Sequence, residues 1–241
     1  MATVEEHYDE VLSDVYSWMF GGFESGIQRN IEFITKHHLT PRASGIAIDL
    51  GAGCGFQSIP LAKVGYSVTA IDIDSKLLNE LKNNAGSLPV NCIQDDLMDF
   101  DEHVKEIAEL VVCMTDTITH LDSKEKVILL FTKVFSSLAE EGKFIITFRD
   151  LTFELTETDR FIPVKSDENI IFTCFLEYEP ETIKVHDIVY KKSGSEWSLF
   201  KSFYRKLRLS EEWVSTQLSQ CGFKKVTSTS ENGFITVVAS K

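Results

Sequence analysis

Ile48-Asp49-Leu50-Gly51-Ala52-Gly53-Cys54-Gly55, followed by Val68-Thr69-Ala70-Ile71-Asp72, joins an apolar strand, a glycine turn and a second strand tipped by an acid. Closely spaced glycines let the backbone turn sharply and approach a ligand where a side chain would clash. The run Phe56 to Val64 then reads as a helix whose first amides face that ligand. Asp72 stands about 20 residues beyond Gly51, where a carboxylate accepts hydrogen bonds from ribose hydroxyls. The stretch predicts a nucleoside-cofactor site on an α/β sheet.

The glycine spacing is G-x-G-x-G, without the G-x-G-x-x-G of dinucleotide enzymes or the Lys-Ser/Thr pair that ends a phosphate loop. Asp49 would repel a pyrophosphate but suits a cationic amino-acid cofactor, which disfavours a nicotinamide oxidoreductase. At these residues the chain resembles the class I S-adenosylmethionine-dependent methyltransferases. The resemblance implies S-adenosylmethionine as cofactor, with Asp49, Gly51, Ala52, Gly53, Gly55, Asp72 and Ile73 around it. Read by itself, the loop also fits an ordinary strand-turn-helix.

Further along, Ile93-Gln94-Asp95-Asp96-Leu97 closes a third strand. The resemblance implies that Asp96 accepts from the adenine amino group while Leu97 covers the ring; a turn or helix cap is the plainer reading of an aspartate there. Cys113-Met114-Thr115-Asp116-Thr117-Ile118-Thr119-His120-Leu121 leaves the fourth strand. It resembles the C-x-G-N-S-x-x-H-L segment of the glycine N-methyltransferase-like group, with Thr115 at the glycine's position and Asp116 at the asparagine's. Met114 is expected to border the methyl group. Asp116 is a candidate to orient or deprotonate an acceptor, or to hold an arginine, and His120 is a candidate base or a structural histidine. The resemblance puts Arg149 where an acceptor carboxylate is gripped, with a salt bridge to Asp150 or Asp116 as the alternative.

Before the first strand, Tyr8, Tyr16, Trp18, Phe20 and Phe23 make an aromatic segment that could cover the site, with Tyr8 and Tyr16 the candidates for ligand contact. Arg29 is a candidate for the cofactor's carboxylate that the surrounding residues do not fix. Ser202 to Arg208 alternates basic and aromatic residues, which also describes any half-buried strand.

Strand and helix patterns alternate from 45 to 150: strands at Gly45 to Leu50, Ser67 to Asp72, Pro89 to Gln94, Leu110 to Met114 and Gly142 to Phe148, with helices at Phe56 to Val64, Ser75 to Asn83 and Ser123 to Leu138. Long strand runs at 169–178, 182–192 and 197–209 predict an antiparallel meander. A helix over 210–221 and a hairpin turning at Asn232-Gly233 close the chain. The fold expected is α/β, a doubly wound, mostly parallel seven-stranded sheet of class I methyltransferase type with an inserted antiparallel β meander. It reads as one domain: an N-terminal helical cover over 1–40, a cofactor-binding core over 41–150, the meander over 151–209, and the closing helix and hairpin over 210–241.

The chain has 241 residues, 43% of them hydrophobic, and a net charge of −13, which opposes nucleic acid as acceptor. It carries no apolar run of membrane-spanning length and no signal peptide, so a cytoplasmic location is expected. The cysteines form no C-x-x-C pair and read as reduced core thiols, and the histidines show no metal spacing. A small-molecule acceptor with an N or O nucleophile is expected, with carboxylate-bearing acceptors favoured by Arg149. A cofactor-binding regulatory or partner subunit without turnover is the alternative.

Overall fold

A computed structural model describes residues 3–231 and 233–241. Its main sheet has the order β10-β11-β5-β4-β1-β2-β3, with β1 at Ile46–Leu50, β2 at Ser67–Asp72, β3 at Val90–Gln94, β4 at Ala108–Cys113, β5 at Leu138–Arg149, β10 at Lys225–Glu231 and β11 at Phe234–Ser240. Strands β3, β2, β1, β4 and β5 run parallel, and β11 and β10 add an antiparallel edge. In β1, Ala47 to Leu50 are buried without alternation, as a central parallel strand covered on both faces requires. The strand order reverses between β1 and β4, where ligands of open α/β sheets bind.

Local signals set the helices around the sheet. Asp74 caps α5 (Ser75–Ala85), its side chain accepting from the Leu77 amide at 2.8 Å, and Leu77, Leu78, Leu81 and Ala85 form the buried face. Ser123 caps α7 (Lys124–Ser137), which buries Val127, Leu130, Phe131 and Val134. The other helices are α1 (Val4–His7), α2 (Tyr16–Met19), α3 (Phe23–Lys36), α4 (Ser58–Lys63), α6 (Phe100–His103) and α8 (Glu211–Gln220). Helix α4 starts two residues later than its sequence pattern suggests, and Phe56, left in the preceding turn, packs against Tyr16, Phe20 and Phe23. No helix is long and apolar enough to cross a membrane among the described residues.

The meander is a second, antiparallel sheet of four strands: β6 (Phe161–Ser166), β7 (Ile170–Tyr178), β8 (Thr182–Ser193) and β9 (Glu196–Leu207). The sequence pattern missed β6, whose Pro163 and register shift interrupt the alternation. Asn232 of the expected closing turn lies outside the described residues. All five cysteines are free thiols.

The N-terminal segment packs on both sheets. Val11, Leu12 and Val15 join Phe172, Leu176, Ile183, Val185 and Val189 of the meander in one buried cluster. Phe20 and Phe23 meet Phe56 at ring separations of 5.5 and 5.9 Å on the cofactor side. Fully burying such a ring is worth about 1.5–3 kcal/mol, and the partly buried Phe20 and Phe23 contribute less. Tyr8 packs against both clusters, and Tyr16 joins Phe20 and Phe56 in the second.

Candidate functional site

The glycine turn after β1 is held by β2. The Gly51 and Ala52 amides both donate to the Ile71 carbonyl, at 2.9 and 3.0 Å. The Gly53 amide donates to Asp72 Oδ2 at 2.7 Å, and the Asp74 amide to Oδ1 at 2.8 Å. Gly51 adopts φ +75°, and a β-carbon there would lie 2.3 Å from the Thr117 side chain. Only glycine lets this backbone pass so close to the loop after β4.

These turns open on a cavity of about 550 Å³. Tyr16, Gly51, Gly53, Asp72, Ile73, Asp96, Leu97 and His120, all singled out in the sequence, line it together. Asp49, Ala52, Gly55, Met114, Asp116 and Arg149 are not among its walls. Asp49 is buried beneath the turn, where it accepts from Ser58 Oγ at 2.6 Å. Ala52 and Gly55 support the turn from behind, and Met114 packs into the core with Val112 and Ile145. Asp96 caps the short turn that follows it, accepting from the Met98 amide at 2.9 Å, while its side chain still faces the cavity. Arg29 donates to the Phe20 carbonyl at 2.6 Å and stands outside the cavity.

Asp116 and Arg149 meet each other. Asp116 accepts from the Arg149 amide and from Arg149 Nη1, both at 2.7 Å, and from Lys206 Nζ at 2.9 Å. Burial alone would raise the Asp116 carboxyl, but Lys206 and Arg149 hold it down to about 2. The clamp fixes a strained turn: Thr115 and Asp116 both have left-handed backbones, at φ +62° and +71°. Two such residues cost about 1–3 kcal/mol each and persist only where their surroundings impose them. Here β5 does so, through Thr147 Oγ1 to the Thr115 amide (2.8 Å) and the Thr147 carbonyl to the Asp116 amide (3.0 Å). The left-handed angle at Thr115 gives a physical reason for a glycine at that position in the resembling segment.

His120 ends the turn Thr117–His120 that follows Asp116 and lies in the cavity wall. Tyr204 stacks on its ring at 5.1 Å and 17°, and Tyr8 meets it edge-on at 5.9 Å. Burial, then Lys206, lower His120 to about 3, so its imidazole is neutral at physiological pH. Burial likewise raises the Tyr8 and Tyr16 hydroxyls, keeping both protonated. Burial lifts the Asp49 carboxyl to about 7 and the Asp72 carboxyl to about 6.

Several wall residues were not legible as such. Thr3, Val4 and Glu5 come from the cap and first turn of α1, Gln94 and Asp95 from the end of β3 and the residue after it, Thr115, Thr117, Leu121 and Asp122 from the segment after β4, and Lys126 from α7. Lys206 and Tyr204 lay within the alternating basic-aromatic run, whose inward parity became clear only from pairing with β8. Among the described residues no group of three or more His, Cys, Asp or Glu is arranged to hold a metal.

Comparison with known proteins agrees with this geometry. Residues 47–142 match the family model described as a methyltransferase domain. An rRNA adenine N-6-methyltransferase of Corynebacterium diphtheriae is 31% identical over 75 residues, covering 28% of this chain and 30% of that protein. A glycine/sarcosine N-methyltransferase of Aphanothece halophytica is 27% identical over 122 residues, covering 50% of this chain and 44% of that protein. The chain thus spans less than half the length of these curated relatives. The fold is similar to that of the CcbJ methyltransferase of Streptomyces caelestis, with a TM-score of 0.79 and 18% identity over 97% of each chain. Residues 47–142 thus match a methyltransferase domain, and the 3-2-1-4-5 parallel order with its antiparallel edge gives the chain the fold of the class I S-adenosylmethionine-dependent methyltransferases.

Proposed function

We propose that this protein transfers a methyl group from S-adenosylmethionine to an N or O nucleophile of a small molecule. The observation that carries the reading is the single cavity in which the glycine turn and Asp72 face Tyr8, Tyr16 and His120 across about 550 Å³. The residues fit the cofactor. Gly51 and Gly53 would leave room for its amino-acid end, Asp72 would accept from the ribose, and Asp96 and Leu97, on the same cavity wall, would seat adenine.

S-adenosylmethionine supplies an activated methyl group on a sulfonium leaving group, so the protein's task is positioning and water exclusion. Tyr8 and Tyr16 would present aromatic faces to the positive charge. His120, neutral, would accept or donate one hydrogen bond to the acceptor but is too weak a base at about 3 to store its proton. Asp116 and Arg149 would act through the turn they clamp, keeping His120 in the wall. A small acceptor is favoured by the cavity's volume and by the net charge of −13, which works against a nucleic-acid backbone. The glycine/sarcosine relative acts on a molecule of that size. Arg149 is half-exposed and engaged with Asp116, so a carboxylate-bearing acceptor would have to share it.

The test is calorimetric titration with S-adenosylmethionine, S-adenosylhomocysteine and NAD, followed by turnover assays on small amines, hydroxyls and carboxylates. Saturable binding of both adenosyl ligands without NAD, and S-adenosylhomocysteine formed with one acceptor class, are expected. A folded sample that binds neither adenosyl ligand would sink the proposal.

A pH dependence follows from Asp49 and Asp72. Their folded-state pKa values lie above those of the unfolded chain, so their contribution to the ligand-free fold is fully present below about pH 4 and is lost as pH rises through 6 to 7. Ribose hydroxyls and the ligand's ammonium favour the ionised carboxylates instead. S-adenosylhomocysteine affinity is therefore expected to rise from pH 5 to 8 and level off above. Calorimetry over that range measures it, and a flat profile would remove Asp72 from the contact.

A further inference from the structure

The N-terminal segment lines the cavity and packs on the meander, and besides the apolar cluster of Val11, Leu12 and Val15 it meets the meander through a buried polar pair. His7 is 0% and Asp187 1% exposed, and His7 Nε2 lies 2.9 Å from Asp187 Oδ2. Cys174 Sγ donates to the other carboxylate oxygen at 2.8 Å. His7 Nδ1 has no partner among the described residues, so Asp187 is what fixes the ring. Asp187 stands on the inward face of β8 between Val185 and Val189, where an acid without a hydrogen-bonding partner would be strongly unfavourable.

The pair stands directly behind the cavity wall. The next residue, Tyr8, lines the cavity, and there the backbone passes from α1 into a π-helical turn over Tyr8–Leu12, a form concentrated at functional sites. The His7 ring lies 4.4 Å from Tyr204, which also stacks on His120. The remaining polar links between the cover and the meander are more exposed, such as Lys191 to Asp14 and Trp18 to Asp167, and surface pairs of this kind fix a segment weakly. The buried contacts of Val11, Leu12 and Val15 with the meander lie beyond Tyr8 and are non-directional, so they anchor the segment without orienting α1.

We propose that His7 and Asp187 are positioning residues: touching no ligand themselves, they hold α1 over the cavity and set Tyr8 and, through Tyr204, His120 in its wall. The inference rests on the proposed function only for the ligand used to probe it.

The experiment compares the full chain with His7→Ala, Asp187→Ala and His7→Gln by hydrogen exchange without ligand and by S-adenosylhomocysteine affinity and dissociation rate. In the two alanine variants, amides of residues 3–15 are expected to exchange at least about tenfold faster, while α4 and α5 stay protected. S-adenosylhomocysteine affinity should fall about tenfold, mainly through faster dissociation. His7→Gln, whose amide can still donate to Asp187, should restore both. Parent-like exchange over 3–15 in His7→Ala, or failure of His7→Gln to restore either readout in a fold that melts like the parent, would overturn the proposal. Should the alanine variants not fold, the combined His7→Phe and Asp187→Val variant, which removes the hydrogen bond without leaving a buried acid unpaired, decides by the same exchange pattern, with parent-like protection over 3–15 overturning the proposal. Were the parent not to bind S-adenosylhomocysteine, the proposed function would fail, and ligand-free exchange would still judge the pair.

Discussion

Asp72→Ala is expected to weaken S-adenosylhomocysteine binding at least about 100-fold, roughly 3 kcal/mol. The carboxylate does two things at once. It holds the turn through the Gly53 and Asp74 amides, and it lines the cavity, where in the proposed function its remaining lone pairs accept from ribose hydroxyls. The substitution removes the ligand's hydrogen bonds and loosens the glycine turn that the cofactor must approach, so the loss exceeds that of a single neutral hydrogen bond. Asp72→Asn keeps one acceptor oxygen and should fall between the parent and the alanine variant. Calorimetry at pH 8, where the parent carboxylate is ionised, measures both. An alanine variant that melts like the parent and binds as tightly would take Asp72 out of the site.

The parallel core was readable because its signals are local. Glycines at fixed spacing, an acid at a strand end and an apolar helix stripe each report their structure within a few residues. The walls that come from far apart were not. Asp187 did carry a trace: in Ile183, Val185, Asp187, Val189 it interrupts an otherwise apolar alternating face, and a buried acid requires a partner. That the partner is His7, 180 residues away, depends on the cover folding back across the meander, which no local pattern encodes. Arg149 shows the converse. An arginine at a strand end suits substrate recognition and an internal ion pair equally, and only the left-handed turn at Asp116, which brings that carboxylate to 2.7 Å, brings about the ion pair.

That ion pair supports the second large effect. Asp116→Ala should destabilise the fold by about 3–5 kcal/mol, because it strips Lys206, only 7% exposed, of its carboxylate partner. Arg149 adds less, since its half-exposed guanidinium is screened by solvent. Lys206→Met alone should cost less than Asp116→Ala, as Asp116 keeps both Arg149 donors. Combining Asp116→Asn with Lys206→Met removes both charges and should recover much of the loss, a coupling that a double-mutant cycle by chemical denaturation resolves. The pH limb gives an independent check. A carboxyl held at about 2 in the fold contributes stability fully present above about pH 4 and lost as pH falls towards 2, so the parent should weaken over that window and Asp116→Asn should weaken less. If the double variant is as stable as the parent and binds S-adenosylhomocysteine but has lost turnover, the clamp serves the acceptor wall by fixing the turn that carries His120. Retained turnover would confine Asp116 and Lys206 to the fold and leave Tyr8, Tyr16 and His120 as the groups that orient the acceptor.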